Sequence, residues 1–158
     1  MSKSLVVDSS TLIALERASL TKYLSKINYN IVIPTAVKEE IKSEKILKFC
    51  RVTELKGRTL KFSKSLGHLN IGKGESQCCA LANKLRLEFI VCDDRKFIRQ
   101  RFFSGNKKLQ DINVLGFSFF LHLFHKKGLI KDVWRHFDKI IKLNNWERSE
   151  VLAANYTF

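Results

Sequence analysis

Leu5-Val6-Val7-Asp8-Ser9-Ser10-Thr11-Leu12 is the stretch from which the fold is read. Three apolar residues suit a buried strand, and from Ser10 onward Leu12, Ile13, Leu15 and Leu20 recur as the apolar residues of a helix. The same alternation continues along the chain. Ile31-Val32-Ile33 reads as a second strand, with Pro34 suited to the first turn of the helix that follows. Residues 51–55 form a weaker strand and lead into a polar stretch, 56–70, expected as loop with some turn of helix. A helix over 72–85 places Cys78, Leu81, Ala82 and Leu85 on one face. A buried strand at 89–92, a basic helix over 95–103, a short strand near 112–114 and helices over 117–126 and 131–143 complete the pattern. Strands alternating with helices predict an α/β fold, a parallel sheet wrapped by helices.

Composition narrows the class. A chain of 158 residues suits a single core. With 45% apolar and 11% aromatic residues, one proline and seven glycines, collagenous, low-complexity and disordered readings are excluded. Twenty-nine Lys and Arg against fifteen Asp and Glu leave a net charge of +14, which attracts polyanions such as nucleic acid. Cys50, Cys78, Cys79 and Cys92 show no CxxC spacing, so neither a zinc knuckle nor a disulfide framework is expected, and the thiols read as reduced core residues. The opening MSKSLVVDSS is too polar for a signal peptide, and the most apolar run, 114–124, is short and broken by Gly116, Ser118 and His122. No membrane partner is expected, and the expected location is the cytoplasm.

Parallel sheets bind ligands at the carboxyl ends of their strands, and the residues just there are acidic. Asp8 follows the first strand, and Asp93-Asp94 follow the strand at 89–92. Glu40 lies on the helix after the second strand, where side chains lean back toward the helix start. Glu75 sits in the first turn of the helix opened by Gly72-Lys73-Gly74. Each has a structural reading: Asp8 and the Asp93-Asp94 pair as helix caps, Glu75 as a complement to the helix dipole, Glu39 and Glu40 as a solvated face. None of those readings explains why all converge on one sheet edge. Gathered carboxylates require cations, and oxygen-only ligands select hard ions such as Mg²⁺ or Mn²⁺.

The series VVDSSTLIAL, IPTAVKEEI, GKGESQCCALA and FIVCDDRKFIR resembles the PIN domain family, and within it the small prokaryotic group whose third acid sits in a GxGE turn. The resemblance runs over roughly residues 4–127 and ends near VLGFSFFLHLFHKKGLI. It implies a three-layer α/β/α sandwich with a central parallel sheet, with residues 1–130 as the nuclease-like domain and 131–158 as its C-terminal helical extension and tail. It also implies metal-dependent ribonuclease activity, often as the toxin of a toxin–antitoxin pair. Carried over residue by residue, the catalytic positions fall on Asp8, Glu40, Glu75 and Asp94, and the metal positions on Asp8, Glu75, Asp93 and Asp94. Asp94 is the closer match to the fourth acid, with Asp93 still open. The protein partners of this reading are a small antitoxin and a second copy of the chain.

Residues 95–108 hold Arg95, Lys96, Arg99, Arg101, Lys107 and Lys108 with no acid, interleaved with Phe97, Phe102 and Phe103. The cations, placed beside Asp93-Asp94, are expected to contact RNA phosphates, Arg95, Arg99, Arg101, Lys107 and Lys108 foremost. The phenylalanines are expected to face the core. Lys56, Arg58, Lys61 and Lys64 suggest a second basic rim. Three other motifs fail. Gly67 to Lys73 begins like a phosphate-binding loop, but Gly74 stands where Ser or Thr would hold Mg²⁺. An aspartyl phosphotransferase would need a second Asp at position 10, where Ser10 stands, and His122 with His125 lacks a third ligand. The predicted function is therefore a metal-dependent endoribonuclease. The alternatives are a non-catalytic RNA-binding protein that keeps the fold, and a subunit of an RNA-processing complex.

Overall fold

The computed structural model describes residues 3–155. The tail 156–158 and the side chains of 102 and 153–155, Phe102 of the basic stretch among them, lie outside the described residues. In chain order the elements are β1 (Lys3–Val7), α1 (Ser9–Arg17), a 3₁₀ turn (Thr21–Lys26), β2 (Tyr29–Pro34), α2 (Thr35–Glu40), α3 (Glu44–Leu47), β3 (Cys50–Thr53) and α4 (Gly57–Gly67). There follow α5 (Lys73–Lys84), β4 (Phe89–Val91), α6 (Arg95–Phe103), α7 (Lys107–Gln110), β5 (Asn113–Leu115), α8 (Ser118–Lys126), α9 (Val133–Leu143) and α10 (Arg148–Asn155).

The sheet is parallel throughout, in the order β3-β2-β1-β4-β5. Its centre is β1, with Val6 opposite both Val32 of β2 and Ile90 of β4. Leu5, Val6 and Val7 are wholly buried, as strands covered on both faces must be. From β1 the chain steps toward β2 and β3, then crosses back to β4 and β5. Right-handed connections running in opposite directions lay their helices on opposite faces, which yields the α/β/α sandwich. One layer holds α1 with α8 and α9, and the other holds α5, which crosses β1, β2 and β4 and is backed by α4.

Two expectations need correction. The stretch 56–70 is not mainly loop but contains α4, whose Leu60, Ser63 and Leu66 recur every third residue and turn inward beneath a cationic exterior. The lysines and arginine of that exterior mask the weak apolar periodicity. Pro34 ends β2 and stands just ahead of α2 as its N-cap, outside the first turn. The helices α3, α7 and α10 and the 3₁₀ turn have no counterpart in the sequence pattern, being short and stabilised mainly by packing.

The C-terminal helices are tied to the core by aromatic contacts. Phe117 lies 5.0 Å from Phe137 and 5.8 Å from Trp146, and Trp134 lies 5.5 Å from Phe137. Such pairs contribute about 0.5–1.5 kcal/mol each beyond their burial. On the edge of α9, Lys139 Nζ donates to the Ala18 carbonyl at 3.3 Å, and Arg17 bonds Asn144 at 2.8 Å just beyond it. Among the described residues no helix is long and apolar enough to cross a membrane.

One buried amide joins α2 to α5. The Ala36 N–H, at the buried start of a helix whose first amides have no intrahelical acceptor, donates to Gln77 Oε1 at 3.0 Å. Gln77→Leu leaves that N–H unsatisfied in the interior and is expected to lower stability by about 1–3 kcal/mol. Urea unfolding measures the change, and an unaltered midpoint would show that the bond contributes nothing.

Candidate active site

The order β2-β1-β4 makes the gap between β1 and β4 the point where the chain leaves the sheet in opposite directions, and a crevice opens there at the strand ends. Asp8 stands at its floor. Its N–H continues the ladder by donating to Val91 O at 2.8 Å, and its side chain is 1% exposed. Oδ2 caps α1, accepting from Ser10 N at 3.3 Å and Ser10 Oγ at 2.9 Å, with Cys92 Sγ at 3.6 Å. Oδ1 is buried with no hydrogen-bond partner.

Three consecutive hydroxyls hold three acids. Ser9 Oγ donates to Glu40 Oε2 across the crevice, Ser10 Oγ to Asp8, and Thr11 Oγ1 to Asp93 Oδ2 at 2.6 Å. Ser10 Oγ also accepts from the Asp93 N–H at 3.1 Å. Thus the first turn of α1 positions carboxylates from β1, α2 and the loop after β4. Residue type alone assigns none of the three hydroxyls to an acid; the signal in the sequence is the unbroken run Ser9-Ser10-Thr11 behind Asp8.

Asp93 and Asp94 part company. Asp93 faces the scaffold, where its carboxylate also accepts the Phe117 N–H at 3.0 Å, at the start of α8. Asp94 is half-buried, and its Oδ1 caps α6 by accepting the Phe97 N–H at 2.7 Å. Glu75 enters from the first turn of α5, next to the glycines of Gly72-Lys73-Gly74. A Cβ on Gly74 would come within 2.8 Å of Glu40 Oε1, and one on Gly72 would collide with Glu75 Oε2. The two glycines leave the space in which both glutamate carboxylates lie.

These acids raise one another's proton affinity. Glu75 is pushed up to about 7, first by burial and then by the charges of Asp8, Asp94 and Glu40. Glu40 is raised by burial, with Asp8 and Asp94 adding to it against the Ser9 hydrogen bond, and Asp8 is raised by burial. Lys73 lowers Glu40 only as the weakest influence and is itself paired with Glu39 at 2.9 Å, in solvent. Asp8, Glu40, Glu75 and Asp94 therefore form one electrostatic cluster.

Among the described residues no three His, Cys, Asp or Glu side chains stand close enough to grip one ion as they are. The chemistry of the cluster nonetheless fits a hard divalent cation: the donors are all carboxylate oxygens, and the buried Asp8 Oδ1 lacks any partner. Cysteine chemistry does not fit. All four thiols are unbridged, three of them buried, and burial pushes Cys50 and Cys79 to about 12, far from a reactive thiolate.

The cations expected to bind phosphate divide into three groups. Arg95 and Arg99 both meet Glu150 of α10, Arg99 Nη2 at 3.4 Å, so an internal carboxylate holds the place expected for phosphate. Nothing in the sequence pointed to Glu150. Arg101 is a correction: at 8% exposure it donates through Nε to Leu109 O at 3.2 Å and through Nη2 to Gln110 O at 2.8 Å, clamping α6 to α7. Carbonyls exposed at the end of a short helix accept it, and it does not face solvent. Lys107 and Lys108 are exposed, with Lys108 Nζ 5.5 Å from the Phe62 ring. In the second rim Lys56 pairs with Glu54 at 3.1 Å. His125 Nδ1 lies 3.2 Å from Ile130 O, a structural contact between the last turn of α8 and the loop that follows it.

Residues 4–156 match a family described as a PIN domain. The match reaches past residue 127, so it takes in α9 and α10, which carried no recognisable motif. No curated protein matches the chain.

The Glu75 shift sets a pH dependence. Unfolded, this carboxyl ionises near 4.5, whereas folded it keeps its proton to about 7. Between those values the folded state binds more protons, so its stability falls as pH rises through the window. Glu75→Gln removes the effect: its melting temperature should exceed the parent's by a few degrees above pH 7, and the difference should vanish near pH 4. Melting curves across that range check it, and a constant difference would show that Glu75 is not coupled to the cluster.

Proposed function

The chain belongs to the PIN domain family, whose members are generally nucleases that use divalent metals, and on that premise we propose that it is a Mg²⁺- or Mn²⁺-dependent endoribonuclease. The observation that carries the proposal is the meeting of Asp8, Glu40, Glu75 and Asp94 at the β1/β4 crevice, with Asp8 Oδ1 buried and unpartnered.

Asp8, Glu75 and Asp94 would hold the cation, with Glu40 beside them. A bound divalent ion supplies water activation and neutralises charge on the phosphodiester. The chain's own residues do the rest. Ser9 and Ser10 fix Glu40 and Asp8, so that neither carboxylate has to be ordered when RNA arrives. The Glu75 carboxyl, whose hold on its proton is raised to about 7 by burial and by the neighbouring acids, would exchange that proton for the cation near neutral pH. Asp93 serves the scaffold through Thr11 and Phe117, which favours Asp94 as the acid that faces the cation. Lys107, Lys108 and Arg99 would draw the RNA backbone toward the crevice, Arg99 by exchanging Glu150 for phosphate.

The reading extends to a toxin held in check by a small antitoxin, since a chain with a net charge of +14 suits an acidic protein as well as RNA. A purely RNA-binding role is less well supported, because four carboxylates facing a polyanion would only repel it.

Asp8→Asn keeps the shape and removes the charge. It should reduce cleavage of an RNA pool to background, with circular dichroism unchanged and melting temperature equal or higher, and EDTA should do the same to the parent. Cleavage at parental rates by the variant, or cleavage that persists in EDTA, would overturn the proposal.

A further inference from the structure

We propose that the groove between the turn after α4 and the C-terminal half of α6 is a subsite for one unpaired base of the RNA, stacked on Phe103; the inference rests on the ribonuclease reading and names where the substrate strand lies beyond the acids.

The groove has a volume of about 320 Å³ and is lined by Leu69, Asn70, Arg99, Gln100, Phe103 and Ser104. Against the expectation that it faces the core, Phe103 is 88% exposed, compared with 47% for Trp134, 44% for Leu143 and 39% for Val52, the other exposed large apolar residues among the described ones. A ring so fully in water contributes nothing to the core. The lining contains a cation and no acid, so it complements an anionic ligand that carries an aromatic group. Arg99 and Phe103 stand four residues apart on α6, hence on one face, and the Arg99 side chain is 69% exposed. A planar guanidinium next to an open phenyl ring is the pairing on which single-stranded RNA bases stack, with the cation able to reach a neighbouring phosphate by leaving Glu150. Gln100 and Asn70 add side-chain amides able to donate to and accept from a base edge.

Placement agrees with the chemistry. Asp94 caps the start of the same helix that carries Phe103, so about 14 Å of helix separates the acid cluster from the ring. A strand of a few nucleotides covers that span. Paired RNA cannot present a base face to the ring, so the subsite selects single-stranded substrate.

The test uses the full chain carrying Asp8→Asn, which binds RNA without consuming it, and compares Phe103, Phe103→Ala and Phe103→Trp. Affinities for oligouridylate and for inorganic polyphosphate of matched charge are measured by competition at fixed salt. Phe103→Ala should weaken oligouridylate binding about tenfold, within the range for loss of one stacked base, and leave polyphosphate unchanged. Phe103→Trp should restore binding, with tryptophan emission quenched by oligouridylate and not by polyphosphate. Unchanged oligouridylate affinity in Phe103→Ala would overturn the inference, as would an equal loss for both ligands. A shift in oligomeric state with RNA affinity intact would assign the face to a protein contact instead. If the Asp8→Asn parent itself binds no RNA, the ribonuclease reading fails together with the subsite.

Discussion

Four carboxylates share one crevice in a protein that otherwise repels its own kind through excess positive charge, and the repulsion among those acids is the constraint that the rest of the structure answers. Burial makes it worse, since removing water raises the energy of every ionised carboxyl. The cluster is held by position. Ser9, Ser10 and Thr11 project from the first turn of α1 in three directions, and each takes hold of a carboxylate that arrives from a different part of the chain. The acids are spread over β1, α2, α5 and the loop after β4, so the fold must be complete before the cluster exists.

The scaffold reflects that demand. Asp93 accepts from Thr11 on one side and from the start of α8 on the other, which links the crevice to the aromatic layer around Phe117. Gln77 performs a similar task on the opposite face, where it accepts the Ala36 N–H in the first turn of α2 and so fixes the helix that delivers Glu40. The glycines at 72 and 74 lack the Cβ atoms that would fill the space of the two glutamate carboxylates.

Positive charge is arranged differently from negative. The acids are concentrated, whereas the cations are dispersed and partly engaged within the protein. Arg101 holds α7 to α6, and Arg95 with Arg99 holds α10 through Glu150. Net charge therefore overstates the number of cations available to a polyanion. Lys96, Lys107 and Lys108 stand in solvent, as does the ring of Phe103.

Much of the architecture was legible in the residues alone. The runs at 5–7, 31–33 and 89–91 are continuously apolar and mostly β-branched, the pattern of strands buried on both faces, and the helices between them carry apolar faces. The acids could be placed at the strand ends because position within a strand–helix unit is a local property. The helix α4 was hidden, since its apolar residues are few and its exterior is crowded with lysine. The sequence by itself thus determined a parallel α/β sheet and an acidic carboxyl edge. Only the tertiary structure decided which way each carboxylate points: that Asp93 turns inward to Thr11 and Phe117 while Asp94 caps α6, that Arg101 is buried, and that Glu150 meets Arg95. Those outcomes depend on partners far along the chain, whose proximity is created by strand order and helix packing, and no local pattern of residues encodes it.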